Sequence, residues 1–229
     1  MCLITGVGPG TGSALARRFA HGGYRVAMLA RSAERLGALE RELPGSRAFA
    51  CDVGDAAALA QALSEVRQTL GEPKVAIHNA VSGSFGTFLD MAPDDLERNF
   101  RVNVLALLHL ARGVVPDMLA RGRGTLVVTG NTSALRGKPS FAGFAPTKAA
   151  QRILAEAIAR EVGPRGVHVT YVVVDAVIDV PWTRQAFPNR PDDAFIQPRA
   201  IADEVWHVAH QDRSAWSFHV EIRPFGEPW

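Results

Sequence analysis

Thr5-Gly6-Val7-Gly8-Pro9-Gly10-Thr11-Gly12 stands between a short apolar run, Cys2 to Thr5, and a segment of helical period, Gly12 to His21. Gly6, Gly8, Gly10 and Gly12 permit a tight turn and let backbone approach a pyrophosphate, which the free N–H groups and positive end of the following helix stabilise. Glycine strings occur in many loops. Between a strand and a helix at the head of a βαβ unit, this one points to nucleotide binding.

Outward from that turn the pattern repeats. Cys2–Thr5, Arg25–Ala30, Arg47–Ala50, Val75–His78, Thr125–Thr129 and Val167–Val174 read as buried strands, and Gly12–His21, Ala33–Leu43, Ala56–Leu70, Asp94–Ala120 and Pro146–Val162 as helices. Parallel strands need long crossovers, so this alternation predicts an α/β fold with a parallel sheet covered on both faces. In the helix from Pro146, Ala149, Ala150, Ile153, Leu154, Ala157, Ile158 and Val162 form one apolar face, and Gly163-Pro164 ends it. From Asp175 onward four prolines break the pattern, and 176–200 is expected to be a substrate-covering region of loops and short helices. A last helix, Ile201–Gln211, and a last strand, Ser217–Ile222, follow. The tail, with Phe225 and Trp229, is expected to pack on this subunit or a neighbour.

The 229 residues contain no linker or repeat, so a single domain over 1–229 is expected. The 22 arginines and three lysines are interspersed with 23 acids for a net charge of +2, which argues against a nucleic-acid surface. Cys2 and Cys51 are too few for a disulfide scaffold, show no metal spacing and are expected in the core. No uninterrupted apolar run approaches the ~18–20 residues of a membrane span. The start, Met1 to Gly6, has no basic region of a signal peptide, so no membrane partner and a cytoplasmic location are expected.

The second predicted strand ends at Ala30-Arg31, where an NAD-type site would carry an acid for the ribose. A guanidinium pairs with a 2′-phosphate that an acid would repel, so Arg31 favours NADP(H) over NAD(H); otherwise Arg31 is a solvated charge beside Ser32, a helix N-cap.

These residues resemble the short-chain dehydrogenase/reductases over about 1–180. The opening looks like that family's TGxxxGxG, Asp52-Val53 resembles its acid–aliphatic pair beside the adenine, and Asn79-Ala80 resembles its NAG motif with Val81 at the third position. Asn103 stands where the family has a helix asparagine. The resemblance implies a doubly wound Rossmann fold with a seven-stranded parallel sheet, a cofactor across the strand ends, a small-molecule substrate, and a homodimer or homotetramer built on the helices ending near Ala120 and Val162.

The sequence departs from the family where it does its chemistry. In place of Tyr-x-x-x-Lys with a serine thirteen residues earlier, it reads Phe144-Ala145-Pro146-Thr147-Lys148, and Asn131 takes the serine position. In the family the lysine lowers the tyrosine's pKa and binds the nicotinamide ribose, the tyrosine exchanges a proton with the substrate oxygen, and the serine hydrogen-bonds that oxygen. Phe144 has no proton to give, whereas Asn131 retains an amide N–H able to polarise a carbonyl. Asn103, in an apolar helix, needs a partner, either a functional water or a core group. Val174 to Val180 replaces the family's Pro-Gly-x-x-x-Thr, and backbone near Ile178 would meet the carboxamide. Asp175 is a candidate proton source, or equally a turn cap or an arginine partner.

Ser82, Ser84, Thr132 and Ser133 lack a histidine–acid pair for nucleophilic work, His207 and His210 fit a surface helix better than a metal site, and Trp182, Phe187 and Phe195 either line an apolar pocket or fold over the core. The sequence therefore predicts an NADP(H)-dependent oxidoreductase that delivers hydride to a carbonyl, enone, quinone or imine without a tyrosine acid. The alternatives are an inactive cofactor-binding sensor or structural partner, and a non-redox lyase or cyclase.

Overall fold

The computed structural model describes residues 1–227. Its centre is a sheet of seven parallel strands: β1 (Cys2–Thr5), β2 (Val26–Ala30), β3 (Arg47–Ala50), β4 (Val75–His78), β5 (Gly124–Asn131), β6 (Val167–Val174) and, last in the chain, β9 (His219–Ile222), in the order β3-β2-β1-β4-β5-β6-β9. Helices α1 (Thr11–His21), α2 (Ala33–Glu42) and α8 (Pro198–Ala209) cover one face; α3 (Ala56–Leu70), α5 (Ala106–Ala120) and α6 (Ala145–Val162) cover the other. The alternation of side chains within each strand feeds both layers. Cys2 and Ile4 pack beneath Leu15, Phe19 and Val205, while Leu3 between them packs with Leu63, Leu107 and Leu110. A strand buried on both faces reads as an unbroken apolar run, and each fully buried Leu or Ile contributes roughly 1.5–3 kcal/mol.

The chain builds β1, β2 and β3 outward in one direction, then returns to lay β4 on the other side of β1. At this reversal the loops leaving β1 and β4 part, which opens a crevice at the carboxyl ends of the strands. Glycines let the first loop turn there. Gly6 has φ 73°, and a Cβ on it would lie 2.5 Å from the Ala80 backbone; a Cβ on Gly12 would lie 2.3 Å from the Gly6 carbonyl oxygen.

Several expectations need correction. The helix expected over Asp94–Ala120 is α4 (Pro93–Phe100), a π-helical turn (Arg101–Leu105) and α5 in continuous succession. Periodicity alone does not register the wider turn, which is held by tertiary bonds from Asn103. Taken together, 93–120 is long and apolar enough on average to cross a membrane, although no uninterrupted apolar run is; it packs on the sheet through Leu107, Leu110, Val114 and Met118. Strand β5 runs two residues further than predicted, so Gly130 and Asn131 pair with β6. Residues 176–200 hold, besides α7 (Pro181–Ala186), a two-stranded parallel pair, β7 (Val177–Ile178) and β8 (Phe195–Ile196), too short to leave a sequence pattern. The last helix begins and ends earlier than predicted, and the last strand starts at His219. Phe225 is 90% exposed, so within this chain the tail is tied by charge instead: Arg223 to Asp175 and Arg190 to Glu227. Trp229 lies outside the described residues. Cys2 and Cys51 are free and buried, as expected.

Because the Gly12 position is closed by backbone rather than by a flexible side chain, Gly12→Ala is expected to destabilise the chain by about 1–3 kcal/mol through overpacking. Urea unfolding checks this: the midpoint falls while the slope stays constant.

Candidate functional site

The crevice at the strand reversal is a cleft of about 950 Å³. It is lined by Gly6, Gly8, Gly10 and Gly12 from the first loop, by Arg31 after β2, by Asp52 and Val53 after β3, by Asn79 after β4 and by Ile178 on β7. These positions, far apart in sequence, are thus brought to one wall. The size suits a ligand of cofactor dimensions.

Each wall residue is fixed by a specific contact. Asn79 Nδ2 donates to the Gly6 carbonyl (2.9 Å), and Thr129 Oγ1 donates to Asn79 Oδ1 (3.1 Å), so the glycine loop is strapped to β4 and β5. Helix α1 opens with no side-chain cap; Ser13 N–H donates to the Gly8 carbonyl (3.0 Å), which leaves the N–H groups of Thr11 and Gly12 at the cleft, and the buried Thr11 Oγ1 beside them has no hydrogen-bond partner. Uncapped N–H groups and a spare hydroxyl suit an anion. Asp52 Oδ1 accepts from Gly54 N–H (2.9 Å), which shapes the turn behind Val53. Ser32 caps α2 by accepting from Arg35 N–H. That cap places Arg35 one turn beyond Arg31 at the same wall, a cleft residue that sequence reasoning missed although the four-residue spacing was its signal. Neither guanidinium makes an ion pair among the described residues, whereas Arg98 and Arg101, also at the cleft, pair with Asp95 and Glu97.

Asn103, Asn131, Phe144 and Lys148 do not line this cleft themselves, although Ser82, which Asn103 holds, and Asn79, which Thr129 holds, do. Phe144 is buried at the start of α6 in a cluster of tilted rings with Phe85 (centroids 5.3 Å) and Phe141 (6.4 Å), its ring pressed on Gly83. Asn131 Oδ1 accepts from Ser133 N–H (3.2 Å). Asn103 is a clasp. Its Oδ1 accepts from Ser82 N–H (3.0 Å) and its Nδ2 donates to the Ser82 carbonyl and Thr147 Oγ1 (both 2.8 Å). Its side chain is therefore committed to core groups. Asn99, one turn earlier and missed by sequence reasoning, repeats the device by donating to the Gly143 carbonyl (2.7 Å) and accepting from Ser82 Oγ (2.6 Å). Together the two asparagines pin the segment after β4 to the start of α6.

Lys148 is 2% exposed, and burial alone lowers its pKa to about 7. Its Nζ donates to the Thr129 carbonyl (3.2 Å) and to Gln151 Oε1. His78, fully buried at the end of β4, contacts Thr5 Oγ1 through Nδ1 (3.2 Å), while its Nε2 has no partner. Burial, and then the nearby Lys148 charge, push it down to about 3.

Among the weaker candidates, Asp175 faces Arg223 (3.5 Å) rather than the cleft, and His210 joins Tyr24 and the Trp206 carbonyl; no metal-binding cluster exists among the described residues. Trp182 lines the cleft mouth, and Phe195 is buried under the Arg184 guanidinium at 4.1 Å. Arg184 also pairs with Asp179 and Asp192, so 179–195 is braced internally.

The profile of the short chain dehydrogenase family matches residues 1–190. The chain is 32% identical over 171 residues to the D-erythrulose reductase of Gallus gallus, covering 74% of this chain and 68% of that protein. In structure it is similar to a metagenomic short-chain oxidoreductase solved in complex with NADP (TM-score 0.85, 28% identity, 97% of this chain and 96% of that one). It is also similar to an alcohol dehydrogenase from Thermococcus sibiricus complexed with 5-hydroxy-NADP (TM-score 0.87, 25% identity, 99% and 97%).

Two outcomes are expected. Asn103→Ala leaves both backbone groups of Ser82 without their partner and costs roughly 1–3 kcal/mol, read by urea unfolding and by faster hydrogen exchange at the Ser82 amide. Between pH 6.5 and about 3 the unfolded chain binds a proton at His78 that the folded chain does not, so stability declines as pH falls through that window. The slope of unfolding free energy against pH there is expected to flatten in His78→Gln.

Proposed function

Since the chain belongs to the short chain dehydrogenase family, we propose that it is an NADP(H)-dependent oxidoreductase that acts on acceptors needing little or no acid from the protein. The observation that carries the reading is the anion-ready wall of the cleft: an uncapped helix start with an orphaned Thr11 hydroxyl, and beyond it two arginines without acidic partners. The glycine loop leaves room for a pyrophosphate where side chains would fill it, since a Cβ on Gly8 would meet nothing within 4 Å. Arg31 and Arg35 would hold the 2′-phosphate, Asp52 and Val53 the adenine, and the backbone at Ile178 the carboxamide.

When bound, the nicotinamide supplies a hydride. The chain's part is to orient that ring and exclude water, with Val180 and Trp182 at the cleft and the braced 179–195 segment over it. Phe144 supplies no proton. The acceptor must therefore take the electron pair without one, as a conjugated enone or quinone does by spreading charge onto its oxygen, which takes its proton from solvent once the product leaves the cleft, or as an iminium does by becoming neutral. An ordinary carbonyl would depend on polarisation by the Asn131 amide, which has no donor bond of its own among the described residues. We propose further that the protein assembles as a homodimer or homotetramer through α5 and α6, where Ile153 is 59% exposed.

Titration followed by fluorescence and thermal shift tests the cofactor, and a panel of enones, quinones and iminium compounds tests the reaction. NADPH is expected to bind at least tenfold more tightly than NADH, with that preference lost in Arg31→Ala or Arg35→Ala. Tight NADPH binding with no turnover of any acceptor would favour a sensor, and turnover without NADPH oxidation a lyase or cyclase.

A further inference from the structure

Gln151, three residues after Lys148 on α6, is fully buried, and both ends of its amide are engaged. Its Nε2 donates to the Asn103 carbonyl (2.7 Å), while its Oε1 accepts from Lys148 Nζ and from the Tyr171 hydroxyl (3.2 Å). The orientation is forced, because a flipped amide would turn its N–H groups on the Lys148 ammonium and its oxygen on the Asn103 carbonyl. Tyr171, on β6, also donates to the Lys148 carbonyl (3.4 Å). Its ring fits only because Gly130 lies beside it on β5: a Cβ there would come within 2.1 Å of the ring. Gly130, Gln151 and Tyr171 are therefore one fitted set. It encloses Lys148 with neutral oxygens from Thr129 and Gln151, and no carboxylate pairs with that lysine among the described residues. The other titratable groups in reach are His78 on β4 and Tyr171 itself; Arg152 on α6 acts on Tyr171.

We propose that Gln151 and Tyr171 form a latch that holds the Lys148 ammonium in the core, away from the cleft, and that Gln151 is the positioning residue that keeps it there. Phe144 and Lys148 are then a matched pair. A hydroxyl restored at position 144 stays without its cation as long as Gln151 is present. The enzymatic consequence rests on the reductase reading above, whereas the placement of the lysine does not.

With three lysines in the chain, Lys74, Lys138 and Lys148, ε-¹³C labelling gives one assignable signal for each. In the unmodified protein the Lys148 signal is expected to keep its titration midpoint and its shift when NADPH is added. In Gln151→Leu, loss of an acceptor for the charged form lowers the midpoint by one unit or more in the free protein, and NADPH then moves the signal. Phe144→Tyr with Asn131→Ser is expected to leave ketone reduction at background, and adding Gln151→Leu to raise it at least tenfold with a new acid-side limb in the pH profile. Gln151→Glu keeps the acceptor for Lys148 and Tyr171 but sets an oxygen against the Asn103 carbonyl, so it is expected to melt lower than the unmodified protein while it raises the Lys148 midpoint and suppresses the gain. The proposal is overturned if NADPH moves the Lys148 signal equally with Gln151 present, if its midpoint is the same in Gln151→Leu, or if the Tyr–Ser pair alone reduces ketones as well as the triple variant. Should NADPH not bind by calorimetry, the reductase reading fails on its own, and the midpoint comparison still decides the latch.

Discussion

The hydrogen bond from Asn79 Nδ2 to the Gly6 carbonyl joins the two loops whose separation makes the cleft. Gly6 can come this close to β4 only because it has no side chain, and Gly12 can close on the Gly6 carbonyl for the same reason. Thr129 supports Asn79 from β5, so three neighbouring strands set the position of one turn. The start of α1 inherits that position. The glycine wall of the cleft is thus a product of sheet geometry more than of any charged side chain, and Arg31 and Arg35 stand beyond it on the same cleft.

A second polar layer runs parallel to the first. Asn99 and Asn103 hold the segment after β4 against α6, and the Asn103 carbonyl passes the linkage to Gln151, Lys148 and Tyr171. Buried polar groups of this kind are costly unless every member is satisfied. Here the amides of Asn99, Asn103 and Gln151 are each engaged at both ends. The network fixes the start of α6, and Phe144 with Phe85 and Phe141 leaves that place apolar.

What was legible in the sequence follows from the range of each signal. Strands β1, β2, β4 and β6 could be read because burial on both faces makes them continuous apolar runs, and the glycine loop because backbone space can be occupied only by glycine. Arg31, Asp52, Val53, Asn79 and Ile178 were legible through ordered motifs, and all stand at the cleft. Thr11, Gln151 and Tyr171 were not, because the role of each depends on groups brought near from other elements: a polar residue in an apolar strand or helix gives no indication of its partner. The π-helical turn was hidden for a related reason, since its residues are as apolar as those of an ordinary helix.

That turn also restricts how the chain can change. Asn99 and Asn103 sit on either side of its start and reach the same segment, so their relative direction depends on the extra residue held within the wider turn. Deleting one residue there would restore ordinary helical winding and let Leu107, Leu110 and Val114 beyond it keep their place on the sheet. What would be lost is the relation of Asn99 to Asn103, and with it their joint hold on Ser82. The wider turn is thus a place where this helix can lose a residue at the expense of the clasp and not of the core.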